Sequence, residues 1–249
     1  MLYKLFRSYI NKTDPELAHK LAIKFIKNPL LSGCITSQTS YENLNQNLFN
    51  LKFVSPIGLA AGFDKNAEVY NPLFKLGFGF VEVGTITPLK QYGNPKPRVF
   101  RLVEDQALIN RLGFNNHGAD VVRNRIRSEN NLGLLGINIG PNKDTDDRLK
   151  DYLTGYKTFH EVADYITINI SSPNTENLRN FHEKSKLQEL LKSILKEKTN
   201  LNSNTPIAVK ISPDINENQI NLISEILLEN EIQAIIISNT SETSRDKLS

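Results

Sequence analysis

Asn169, Ser171, Ser172 and Asn174 crowd into the run Asn169-Ile170-Ser171-Ser172-Pro173-Asn174-Thr175, directly after the apolar run Tyr165 to Ile168. Amides and hydroxyls that follow a β-rich apolar run belong at the carboxyl end of a buried strand. That end is where parallel α/β proteins bind ligands. Pro173 ends strand pairing and fixes the local backbone, so Ser172 and Asn174 are held in place. Taken alone, the segment is equally an ordinary strand-to-loop junction.

The same design recurs along the chain. Gly58 to Lys65 closes an earlier apolar run. Its small residues (Ala61 and Gly62, before Phe63 and Asp64) let a planar ligand approach the backbone, and Lys65 sets a positive charge at the mouth. The plainer alternative is a tight βα turn with a solvated lysine. Gly84-Thr85, Asn138, Asn169, Lys210 and Ser238-Asn239-Thr240 each end a further run. Lys210 lies inside the apolar run Ile207 to Ile211, and a charge on a buried strand needs a partner or a ligand. Converging amides, hydroxyls and two lysines suit a flat polar heterocycle with a carboxylate, beside an electron-rich cofactor. Asn110, Arg111, Leu112, Gly113 and Phe114, continuing to Asn116, offer amides and a turn able to cap that mouth.

The elements that must position these residues alternate strand and helix. Strands are expected at Ile57–Ala61, Phe80–Ile86, Leu134–Ile139, Tyr165–Ile170, Ile207–Ile211 and Ala234–Ile237, and Leu48–Val54 reads as a short antiparallel strand before them. Helices are expected at Ala67–Leu76, Lys186–Lys198 and Glu217–Glu229, among others, and Arg98–Val103 with Leu108–Asn110 reads as an inserted hairpin. Strand–helix alternation implies parallel βαβ units. Six core strands cannot close an eight-stranded barrel, which leaves an open doubly wound sheet or a barrel whose last portion lies outside the chain. Two amphipathic helices precede this unit. Leu2, Leu5, Phe6, Tyr9 and Ile10 mark the first; Leu17, Ala18, Leu21, Ala22 and Phe25 mark the second, entered through Asp14-Pro15 and ended by Asn28-Pro29. The expected division is a helical module with its linker at residues 1–40 and an α/β unit at 41–249.

Composition narrows the functional classes. The chain has 249 residues and a net charge of +3, too small a balance to suggest nucleic acid. Residues 1–27 carry a net +4, so the basic excess sits in the two helices. One cysteine, Cys34, excludes an internal disulfide framework and a cysteine-only metal site. His19, His117, His160 and His182 lack metal-ligand spacing, so no metal is expected. No apolar run reaches the 18 residues of a spanning helix. Gly77-Phe78-Gly79 follows a helix and precedes a strand, the reverse of a dinucleotide fingerprint.

Together these segments resemble the dihydroorotate dehydrogenases. The resemblance rests on Gly58–Lys65, Glu82-Val83-Gly84-Thr85-Ile86-Thr87-Pro88, Lys96-Pro97-Arg98, Asn110–Asn116, Gly136–Gly140 with Asn142-Lys143-Asp144-Thr145, and Asn169–Thr175. It implies a (β/α)8-type flavin barrel, incomplete here because members continue for roughly a quarter more of their length. It implies oxidation of dihydroorotate to orotate in pyrimidine synthesis, with FMN as cofactor. Ala61 to Lys65, Thr85, Asn138, Asn169, Lys210 and Ser238 fall at FMN positions, where the family usually has Thr for Ser238. Lys65, Asn110 to Phe114, Asn169, Asn174, Asn239 and Thr240 fall at substrate positions, and Ser172 falls at the catalytic base. Serine there, together with the amino-terminal helices, implies the class that reduces a membrane quinone. The helices would then rest on an anionic membrane surface as a peripheral module, on the cytoplasmic face of the inner membrane in a bacterium. His19 and Arg101 would lie along the quinone's path. A class with cysteine at position 172 and a soluble acceptor is one rival, and a fragment unable to hold FMN is another.

Overall fold

A computed structural model describes residues 10, 12–32, 42–175, 177–243, 245 and 248 of the chain. The expected first helix (Leu2 to Ile10), apart from Ile10, lies outside the described residues, as does Cys34. Helix α1 spans Pro15–Lys27 and α2 Pro29–Ser32; the Asp14 carboxylate caps α1 by accepting from Leu17 N at 2.8 Å. Strands β1 (Gln46–Leu48) and β2 (Leu51–Phe53) form an antiparallel hairpin where a single strand was expected. Phe49 and Asn50, at φ 57° and 61°, turn the chain between them. A two-residue turn of this type usually announces itself with glycine, which is absent here.

Helix α3 (Tyr70–Lys75) starts later than the expected Ala67. Ala67 has φ 53°, and the Asp64 carboxylate takes the N–H groups of Glu68 (2.8 Å) and Val69 (2.7 Å), so these residues close a turn instead of a helix. Then follow β3 (Phe80–Ile86), the hairpin β4 (Val99–Leu102) with β5 (Ala107–Asn110), α4 (Ala119–Arg127), β6 (Leu134–Ile139), α5 (Arg148–Phe159), β7 (Tyr165–Asn169), α6 (Lys184–Asn200), β8 (Ile207–Lys210), α7 (Glu217–Glu229) and β9 (Ala234–Ile236). The sheet is parallel throughout, in the order β3-β6-β7-β8-β9. The expected strand Ile57–Ala61 runs beside β3 with a single bridge, Leu59 to Val81, not a full ladder.

Alternation along each strand divides the sheet into two unlike faces. Val81, Val83, Leu135, Ile137, Ile139, Ile166, Ile168, Ile207 and Val209 are buried in the hydrophobic core that the helices cover. Glu82, Asn138, Tyr165, Thr167, Asn169 and Lys210 occupy the opposite face and are buried as well. A cavity of about 520 Å³ opens on that inner face between the β1–β2 hairpin and β8–β9. It is lined mainly by apolar side chains, with Glu82 and Lys210 among them.

Candidate active site

A second cavity, of about 250 Å³, lies at the carboxyl ends of the strands. Ala61, Gly62, Lys65, Thr85, Asn110, Leu112, Gly113, Phe114, Asn169, Ser172, Asn174, Lys210, Asn239 and Thr240 line it. These residues come from six separate segments that the parallel sheet gathers at one edge, and every one was singled out in the sequence. Val99 and Leu108, from the β4–β5 hairpin, complete the wall as apolar contributions the sequence did not mark. Gly113 (φ 70°) and Phe114 (φ 50°) give the capping turn its shape.

Of the residues expected to meet FMN or substrate, five stand outside the lining. The Asp64 carboxylate turns inward to cap its own loop, and burial pushes its pKa up against the backbone N–H groups that favour the anion. Arg111 points outward: its guanidinium donates to Pro97 O at 2.9 Å and lies over the Phe100 ring. Its side chain is therefore not a ligand group of this cavity. Phe63 meets His19 edge-on and gives its carbonyl to His19 Nε2 at 2.7 Å. The Ser238 hydroxyl donates to Asn239 O at 3.2 Å. Asn138 sits one layer beneath, where its Oδ1 accepts from Thr85 Oγ1 at 2.6 Å.

The charged groups at the mouth are few. Lys65 Nζ donates to Asn115 Oδ1 at 2.6 Å. Burial, and then the positive charge of Arg98, bring the Lys65 ammonium down to about 8, against a smaller upward pull from Glu16. Asn115 was part of the capping motif but had no role assigned. Lys210 is 7% exposed, and no hydrogen bond or ion pair reaches its Nζ among the described residues. Ser172, 4% exposed, accepts from Asn174 N at 3.2 Å. Asn174 Nδ2 in turn approaches Asn110 Oδ1 at 3.4 Å. Among the described residues no group of three or more His, Cys, Asp or Glu could hold a metal ion.

The segment after β9 is tied down from below. Asp214 accepts from Glu242 N (2.8 Å), Thr243 Oγ1 (3.2 Å) and Ser241 Oγ, and pairs with Arg179 at 3.1 Å. Burial opposes the charge, but these donors outweigh it and hold the Asp214 carboxyl at about 2. Asn239 and Thr240 are thereby fixed over the cavity.

Helix α1 flanks the same mouth. Glu16 takes both arms of Arg98 (3.0 and 2.8 Å) and Lys96 at 3.2 Å. Arg101 Nη1 donates to Thr13 O at 2.6 Å. His19 and Arg101 thus both bind backbone carbonyls. Leu17, Leu21 and Phe25 remain 50%, 49% and 41% exposed, an apolar stripe facing away from the sheet. Among the described residues no helix is long and apolar enough to cross a membrane.

The chain matches the family model described as Dihydroorotate dehydrogenase over residues 43–248. A protein of Bartonella tribocorum named dihydroorotate dehydrogenase (quinone) is 47% identical over 239 residues, covering 94% of this chain and 66% of that protein. One of the same name from Agrobacterium fabrum is 45% identical, covering 92% and 63%. The crystal structure of the Eimeria tenella enzyme in complex with ferulenol superposes with a TM-score of 0.88 at 37% identity, over 94% of this chain and 69% of that one. Its ligand-free counterpart gives 0.88 at 38% identity, over 95% and 72%. The chain spans about two thirds of the length of the curated relatives it matches. The α/β architecture with a parallel central sheet is shared over that span.

Proposed function

We propose, starting from the fact that this chain belongs to the dihydroorotate dehydrogenase family, that its site serves the oxidation of dihydroorotate to orotate. The cofactor would be FMN and the electron acceptor a membrane quinone. The observation that carries this reading is the single cavity that joins Lys65, Asn110, Ser172, Asn174 and Asn239 to a buried Lys210 with no partner among the described residues.

The residues fit a flavin ring. Gly62, at φ 115°, has open space where a Cβ would stand, so a flat ring meets backbone there. Lys210 supplies the positive charge that such a buried ring system would answer. Ala61, Gly62, Thr85, Asn169 and Lys210 would hold the ring, with Asn138 behind them. When bound, FMN supplies a two-electron acceptor for the hydride that leaves carbon 6 of dihydroorotate. Ser172 Oγ takes the proton from carbon 5, which is acidified by the neighbouring carbonyl, while its own hydroxyl proton passes onward to solvent. Serine is an intrinsically poor base, and the Asn174 N–H on Ser172 Oγ favours negative charge at that oxygen. Lys65 clamps the substrate carboxylate. Asn110, Asn174 and Asn239 each bring a donor and an acceptor, matching the alternating amide edge of the pyrimidine.

The helical module at residues 1–40 would carry the quinone and rest on an anionic membrane, with the 41–249 unit holding the site. The Leu17, Leu21 and Phe25 stripe beside Lys20, Lys24 and Lys27 suits an interfacial helix. The test is anaerobic addition of dihydroorotate to the FMN-loaded protein, followed by a quinone analogue. The flavin absorbance should bleach and then return. Bound FMN that stays oxidised with excess dihydroorotate would overturn the reading.

A further inference from the structure

Glu82 is a carboxylate in the middle of a buried strand, 4% exposed, and the reaction just described gives it no part. Three donors meet it: Asn138 Nδ2 on Oε1 at 2.8 Å, and Thr167 Oγ1 (2.9 Å) and Tyr165 OH (3.2 Å) on Oε2. Both carboxylate oxygens accept here, so Asn138 turns its NH2 group toward Glu82 and its oxygen away. That oxygen faces Thr85 Oγ1 at 2.6 Å and Asn169 Nδ2 at 3.2 Å. Asn169 Nδ2 also donates to Thr85 Oγ1 at 2.9 Å, which leaves Asn169 Oδ1 to accept from Ser171 Oγ at 2.6 Å. Ser171 Oγ accepts in its turn from Asn239 Nδ2 at 2.9 Å. Every bond runs the same way: Asn239 to Ser171, Ser171 to Asn169, Asn169 to Asn138, Asn138 to Glu82.

An asparagine amide has nearly the same shape in either orientation, so shape alone does not choose which end meets a ligand. The choice needs a partner that cannot reverse. For Asn169 and Asn239 a backbone N–H supplies it, Ser171 N on Asn169 Oδ1 at 3.1 Å and Thr240 N on Asn239 Oδ1 at 2.7 Å. The Asn138 amide has no backbone partner among the described residues, and its NH2 group is met by the Glu82 carboxylate. We propose that Glu82 is a positioning residue of the site: it holds the Asn138 amide with its oxygen toward Thr85 and Asn169, so that these two cavity-lining side chains are supported from beneath. Ser171, adjacent to the base Ser172, ties Asn169 to the segment after β9. The kinetic part of the test rests on the dihydroorotate reading; the spectroscopic part does not.

The test compares Glu82→Met and Glu82→Gln in the full chain with 15N-labelled asparagine. In Glu82→Met the side-chain NH2 resonances of Asn138 and Asn169 should lose their dispersion and their protection from exchange. Flavin reduction by dihydroorotate should slow by about 10²-fold while KM for dihydroorotate changes little, the pattern of misplacement. Glu82→Gln can keep its oxygen on Asn138 and turn its NH2 toward the two hydroxyls. It should therefore restore the Asn138 and Asn169 resonances and most of the rate. Unchanged amide resonances in Glu82→Met would overturn the proposal. So would a Glu82→Gln as impaired as Glu82→Met, which would leave the charge alone as the cause. If Glu82→Met does not fold, Glu82→Gln decides: an Asn138 NH2 group that loses its protection there refutes the proposal. Should the protein not oxidise dihydroorotate at all, the resonances still give the answer.

Discussion

Lys65 is the group whose behaviour follows most directly from its surroundings. Burial, aided by the Arg98 charge, lowers its pKa from 10.5 to about 8. A carboxylate clamp at this position must therefore weaken within an accessible pH range. With an affinity that requires the ammonium, apparent Kd scales as one plus ten raised to (pH − 8). Orotate binding, read from the flavin spectral shift, should then weaken about tenfold between pH 7 and pH 9, or about 1.4 kcal/mol. Lys65→Met should bind weakly with no such slope, and any titration of the ligand itself appears in both proteins and cancels. Asn115→Leu removes the acceptor 2.6 Å from Nζ that favours the charged form, so its break should move below that of the parent. Stability has the opposite sign. Between about 8 and 10.5 the unfolded chain binds the proton and the folded chain does not, so folding is favoured as pH rises through that window. Lys65→Met should melt above the parent at pH 7, the gap closing toward pH 10. An orotate affinity that stays flat from pH 7 to 9 in the parent would refute the argument, as would a slope that survives in Lys65→Met.

Ser172→Ala should keep FMN and orotate but slow flavin reduction by about 10²–10⁴-fold, since it removes a base; a near-normal stopped-flow rate would sink the assignment. Replacing Leu17, Leu21 and Phe25 by Ser should reduce sedimentation with anionic vesicles. About half of each side chain is free to partition, roughly 1 kcal/mol apiece, so about 10²-fold in partitioning is expected. Equal sedimentation would make the stripe a feature of packing alone. Asp214→Asn should loosen the segment that carries Asn239 and weaken orotate binding with little change in FMN binding. Because the Asp214 pKa is depressed, its contribution to stability is present above 3.8 and lost as pH falls through about 2, so the variant's melting curve should be flatter in that range.

The sheet was legible because its strands are short apolar runs ended by polar residues, and β3 and β6 were bounded correctly to the residue. What escaped was decided by single side chains reaching across the chain. Asp64 shortens α3 by taking two N–H groups, and nothing in its sequence neighbours distinguishes that carboxylate from one facing a ligand. Arg111 sits in the capping motif with its backbone, while its guanidinium answers Pro97 O on the far side of the hairpin. A motif locates a segment; it does not say which way each side chain turns.

Glu82 shows a signal that was present and left unused. Lys210 stood out because a charge interrupts the apolar run Ile207 to Ile211, and Glu82 interrupts Phe80 to Ile86 in the same manner. Both lie on the inner face of the sheet, and the structure separates their roles by partners. Lys210 has none among the described residues, whereas Glu82 has three donors. A buried charge already satisfied by protein groups fixes its neighbours, and one left unsatisfied waits for a ligand. The sequence can nominate both from the cost of burying charge. Only the hydrogen bonds tell the organiser from the binder.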